Sequence, residues 1–95
     1  MNITQIHSGE KPVSAVALFK GEQGTATALH ILQGQELKEH MTKVPALLIC
    51  ITGEAIFENE QGMKETLLPG DYVQIEAMVK HWVKAKTDCN LILLK

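Results

Sequence analysis

The stretch ITGEAIFENEQGMKETLLPGDYVQI, residues 51–75, decides the fold. Gly53-Glu54 reads as a turn into a short strand, AIFEN. Glu60 to Met63 forms a hairpin tip, KETLL returns, and Pro69-Gly70-Asp71 turns the chain again into YVQIEA. In a pleated strand alternate side chains face opposite ways. Phe57 therefore faces away from Ile56 and Glu58. Val73 and Ile75 share one face, and Tyr72, Gln74 and Glu76 share the other.

The same grammar runs outward in both directions. Glycines at positions 9, 21, 24, 34, 53, 62 and 70 punctuate short runs rich in Val, Ile, Leu and Thr. VSAVALFK and TATALHIL are strands on either side of the Gly21–Gly24 turn. Gly34-Gln35 turns into ELKEH. PALLICIT is a longer strand, apolar on both faces, which belongs in the middle of the fold or along an apolar cavity. HWVKAK, a turn at Thr87-Asp88 and NLILL complete the chain. The best helical candidate, GQELKEHM, is too short to stand alone. Many short strands with Gly/Pro turns predict an all-β barrel or sandwich, one domain over residues 1–95.

Composition narrows the function. Nine basic residues against eleven acidic ones give a net charge of -2, and every basic residue is lysine. With no arginine and few aromatics, recognition of nucleic acid is not expected. The N-terminus lacks a basic stretch followed by an apolar run, and no segment approaches the roughly 20 apolar residues of a membrane helix. The expectation is a cytoplasmic protein with no membrane partner. Cys50 and Cys89 sit in apolar runs and read as buried, reduced thiols. Ser8 and Ser14 are the only serines, and neither lies in a nucleophile elbow.

Two spaced motifs resemble those of a small single-domain cupin, a jelly-roll β-barrel, over nearly the whole chain. The first cupin motif is glycine, five residues, His-x-His, three or four residues, Glu, six residues, Gly. Here Gly34 is followed by QELKE and His40, and the motif closes at Gly53. The second is glycine, five residues, Pro-x-Gly, two residues, His, three residues, Asn. Here Gly70 is followed by DYVQI and then His81. In cupins two histidines and a glutamate of the first motif and the histidine of the second hold a metal. This chain keeps His40 and His81 but carries Thr42 and Ala46 at the other two positions. Glu76 and Met78 stand where the Pro-x-Gly would be, and Ala85 where the asparagine would be. The resemblance also implies a homodimer, formed by packing one sheet face on its copy, often with exchange of the N-terminal strand.

His40 and His81 are the candidate metal ligands, for zinc, nickel, copper, iron or manganese. Each reads equally as a polar group with a local hydrogen bond. His30 would supply a third nitrogen if it pointed inward, but both its neighbours are apolar and parity does not settle the question. Glu76 is a second third-ligand candidate, or an exposed acid. His7 reads as solvent-facing or as packing for the N-terminal strand. Met41, Met78, Tyr72 and Trp82 are candidate pocket walls around the two histidines.

Three functions fit these residues. The leading one is a small-molecule-binding cupin whose ligand contacts His40, His81, Trp82, Met41 and Tyr72, with or without a divalent ion. The second is a metal-dependent isomerase, lyase or oxygenase built on His40 and His81, which the loss at Thr42 and Ala46 disfavours. The third is an interaction module whose barrel is filled with side chains. No catalytic residue is assigned.

Overall fold

The computed structural model describes residues 1–8 and 10–95; the turn position Gly9 lies outside the described residues. Among the described residues, nine strands follow a 3-10 turn at Ile3–Gln5. They are β1 (Val13–Lys20), β2 (Thr25–Ile31), β3 (Glu36–His40), β4 (Ala46–Thr52), β5 (Ala55–Asn59), β6 (Lys64–Leu67), β7 (Tyr72–Ile75), β8 (His81–Ala85) and β9 (Cys89–Leu94). They form two antiparallel sheets, ordered β1-β2-β9-β4-β7 and β3-β8-β5-β6. GQELKEHM, too short to stand as a helix, holds strand β3 and pairs with β8.

Both sheets turn an apolar face inward. The larger sheet contributes Leu29, Ile31, Leu48, Cys50, Val73, Ile75, Cys89 and Leu91, and the smaller one Ala55, Phe57, Leu67, Val83 and Ala85. PALLICIT lies inside its sheet, between β9 and β7, as its two apolar faces predict. The chain crosses from one sheet to the other at Gly53, between β4 and β5. Gly53 has φ +82, and a Cβ there would fall on the Asp88 carbonyl oxygen and 2.9 Å from Cys89 Cα. Only glycine permits both the left-handed backbone and this close approach. Both cysteines are buried and free. Burial pushes the Cys89 thiol up to about 11 and raises Cys50 as well, as expected of inert structural thiols.

Two loops close one end of the barrel. One joins β3 to β4 (41–45) and the other joins β7 to β8 (76–80). The Met78 N–H donates to the Thr42 carbonyl at 2.7 Å and ties the loops together. Met78 has φ 66 and is the one non-glycine residue in the left-handed region among those described. Holding an L side chain in that region costs roughly 1–2 kcal/mol, and the bond to Thr42 keeps it there.

Candidate functional site

His81 opens β8 and points into the core. It is 2% exposed and stacks on Phe57 with ring centroids 5.6 Å apart. His40 ends β3 directly opposite, as its register partner. Leu37 also packs against the core. Three residues apart, Leu37 and His40 would face opposite ways in a regular strand. A β-bulge between them lets both face inward, because Lys38 and Glu39 together oppose Trp82.

The two rings meet edge-on, with centroids 4.2 Å apart and Nε2 atoms 3.0 Å apart. His40 Nδ1 lies 3.0 Å from the Lys38 carbonyl, and His81 Nδ1 lies 3.3 Å from the Val79 carbonyl. A ring nitrogen facing a carbonyl oxygen has to donate. The shorter contact assigns the Nδ1–H tautomer to His40, whose Nε2 then accepts from the Nε2–H of His81. The chain of donors runs His81, His40, Lys38 carbonyl, and it leaves the bare His81 Nδ1 facing the Val79 carbonyl across the longer contact.

A divalent ion would displace the shared proton and take both Nε2 atoms. Both Nδ1–H groups would then rest on their carbonyls, the usual outer support of a metal-bound imidazole. The other half of the cupin set is missing. The Thr42 hydroxyl is buried and donates to the Val44 carbonyl at 2.8 Å, and Ala46 carries no donor. Among the described residues, no three His, Cys, Asp or Glu side chains gather to hold an ion. The four-ligand site does not form, and a two-nitrogen seat is what remains.

The other candidates stand elsewhere. His30 is not a third ligand for this pair. Leu29 and Ile31 enter the core, so the period-2 pleat turns His30 to the outer face of the larger sheet. Glu76 is exposed beyond β7 and borders an outer groove with Gln74 and Lys95, away from the pair. Trp82 and Tyr72 do not wall a shared pocket with the histidines. Trp82 alternates with the inward His81 and Val83, so it lies outside the smaller sheet, where its indole N–H donates to Glu58 at 3.1 Å. That bond, with Lys84 beside it, holds the Glu58 carboxyl below the usual range. Tyr72 is 63% exposed and alternates with the inward Val73, which puts it outside the larger sheet. Met41 and Met78 sit on the mouth loops, largely exposed. None of the three depressions described, the largest about 920 Å³, touches His40 or His81.

Comparison with known structures places this architecture. A cupin superfamily protein from Desulfitobacterium hafniense superposes with a TM-score of 0.87 at 19% identity, over 98% of this chain and 84% of that one. The fold is that of a cupin. A conserved Streptococcus pyogenes protein of unknown function matches with a TM-score of 0.84 at 17% identity, over 99% of this chain and 82% of that one. A DMSP lyase matches with a TM-score of 0.80 at 16% identity, over 86% of this chain and 46% of that one. No protein-family model and no curated protein matches the sequence. No helix among the described residues is long and apolar enough to cross a membrane.

Burial holds the His81 imidazole below its ordinary value of 6.5. The neighbouring His40 adds to this, and the Val79 carbonyl works the other way. The unfolded chain thus binds a proton more readily than the folded one. The stabilisation is complete above the ordinary imidazole pKa and is lost as pH falls through the lowered folded value. The urea midpoint of the wild type should drop between about pH 7.5 and 5.5, and drop less in His81→Gln. An equal drop in both would contradict the assignment to His81.

Proposed function

We propose that this cupin domain binds a small molecule at the barrel mouth, with the half-buried His40 as its polar contact and the buried His81 bonded behind it. The carrying observation is the pair itself, two imidazoles set edge to edge beneath the two loops in an otherwise apolar barrel. The buried Thr42 hydroxyl nearby has already committed its proton to the Val44 carbonyl. A divalent ion held by the two Nε2 atoms belongs to this reading as an optional companion of the ligand. No reaction step is derived from it, since Thr42 and Ala46 leave the set incomplete. The free, buried thiols agree with a cytoplasmic, reducing location.

A second reading, an interaction module, draws on one specific observation. The space between the sheets is occupied by Phe57, Leu48, Ile31, Leu67 and Leu91, all nearly or fully buried. The two readings separate in a thermal-shift screen of metabolite classes, run with and without zinc. The binding reading predicts at least one compound that raises the wild-type midpoint and leaves His40→Ala unmoved. Shifts of equal size in both proteins, or none in the wild type, would leave the filled barrel as an interaction module.

We further propose a homodimer through the outer face of the larger sheet. That face presents Val16, Phe19, Leu47, Ile49 and Ile92, and its register positions hold no Lys, Asp or Glu. The outer face of the smaller sheet carries Glu36, Lys84, Glu58 and Lys64. A stable interface of this kind needs roughly 800 Å² per partner. An uncharged face fits a second copy of itself better than a charged partner. Light scattering should give twice the 10.5 kDa chain mass for the wild type and the single-chain mass for Ile49→Glu. A monomeric wild type would refute the dimer.

A further inference from the structure

The polar end of the larger sheet's outer face gathers a second set of ligand-type atoms. His7, from the segment before β1, stacks on His30 with centroids 5.4 Å apart and planes 26° apart. Its Nδ1 lies 2.7 Å from the Ser14 hydroxyl. Ser14 is the register partner of His30 on β1, and Asn90 is its register partner on β9. Ser14, His30 and Asn90 thus stand side by side across three strands, with His7 stacked on His30 and bonded to Ser14.

Among the described residues, three buried side-chain atoms have no hydrogen-bond partner: His7 Nε2, His30 Nδ1 and Asn90 Oδ1. All three belong to this one group. Each can offer a lone pair. If His7 donates its Nδ1–H to Ser14, its Nε2 is bare. Asn90 commits its amide N–H to the Thr52 hydroxyl at 2.9 Å, which leaves Oδ1 as a free acceptor. A water molecule can donate to only two of three acceptors, whereas one cation can serve all of them.

We propose that His7 Nε2, His30 Nδ1 and Asn90 Oδ1 form a site for one divalent transition-metal ion, which fastens the N-terminal segment to β2. The donor set selects the class of ion. Two imidazoles and an amide oxygen suit zinc, copper or nickel, and magnesium or calcium would require the carboxylates that this face lacks. The Ser14 hydroxyl against the far nitrogen of His7 is the kind of outer contact that orients a metal-bound ring. Burial, with the charge of His30 next, holds His7 below the ordinary imidazole range, so the ring is a neutral ligand at neutral pH. The site is separate from the His40–His81 pair, which faces the opposite side of the larger sheet.

Zinc is the probe, because it brings no redox chemistry. The full chain is titrated as wild type, His7→Ala, His30→Ala and His40→Ala. The proposal expects one zinc to remain on His40→Ala, and affinity to fall at least tenfold in His7→Ala and His30→Ala. It also expects zinc to slow proteolysis of the N-terminal segment in the wild type but not in His7→Ala. Affinities within twofold of the wild type in both outer variants, a loss confined to His40→Ala, or no zinc binding at all would overturn it. His7 lies outside every strand, so His7→Ala decides the matter even if His30→Ala fails to fold; circular dichroism monitors both.

Discussion

A histidine ring sealed inside an apolar core sets the terms for the rest of the barrel mouth. His81 is almost wholly buried and stacked on Phe57, so water cannot serve its nitrogens. An unserved polar group there would cost about 1–3 kcal/mol. His40, from the end of β3, meets the Nε2 side of the ring, while the Val79 carbonyl lies at the longer distance of 3.3 Å from Nδ1. Reaching His81 requires the bulge that re-aims His40. The two loops above are then held together by the bond from Met78 to Thr42. A single buried imidazole thereby couples β3, β8 and both mouth loops.

This coupling holds the two histidines in place without a metal and without donors at positions 42 and 46. Thr42 fastens the loop through its hydroxyl and carbonyl, and Ala46 lies in the core. Met78 keeps its left-handed backbone through the tie to Thr42.

Much of this was legible in the chain because burial leaves a period-2 imprint. The turns around residues 51–75 gave β5, β6 and β7 in place, with Phe57, Val73 and Ile75 facing inward as the alternation requires. The unbroken apolarity of PALLICIT marked a strand with neighbours on both sides. Where the imprint failed, the cause is specific. His30 lies between Leu29 and Ile31 on a strand whose outer face is also apolar, so alternation carried no sign there. Trp82 and Tyr72 were grouped with the histidines by chemistry, while the pleat sends them to opposite outer surfaces. The bulge in β3 has no glycine to announce it. His7 and Asn90 carry no local signal either, since only the pairing of β2 with β1 and β9 brings them beside His30.

The claim on which the mouth depends is the hydrogen bond between the two imidazoles, and the nitrogen resonances of their rings test it directly. In metal-free protein at neutral pH, long-range proton–nitrogen spectra should show His81 protonated at Nε2 and His40 protonated at Nδ1, with the His81 proton protected from exchange. Both rings protonated at Nδ1, or a His40 Nε2–H exchanging freely with water, would contradict the shared bond.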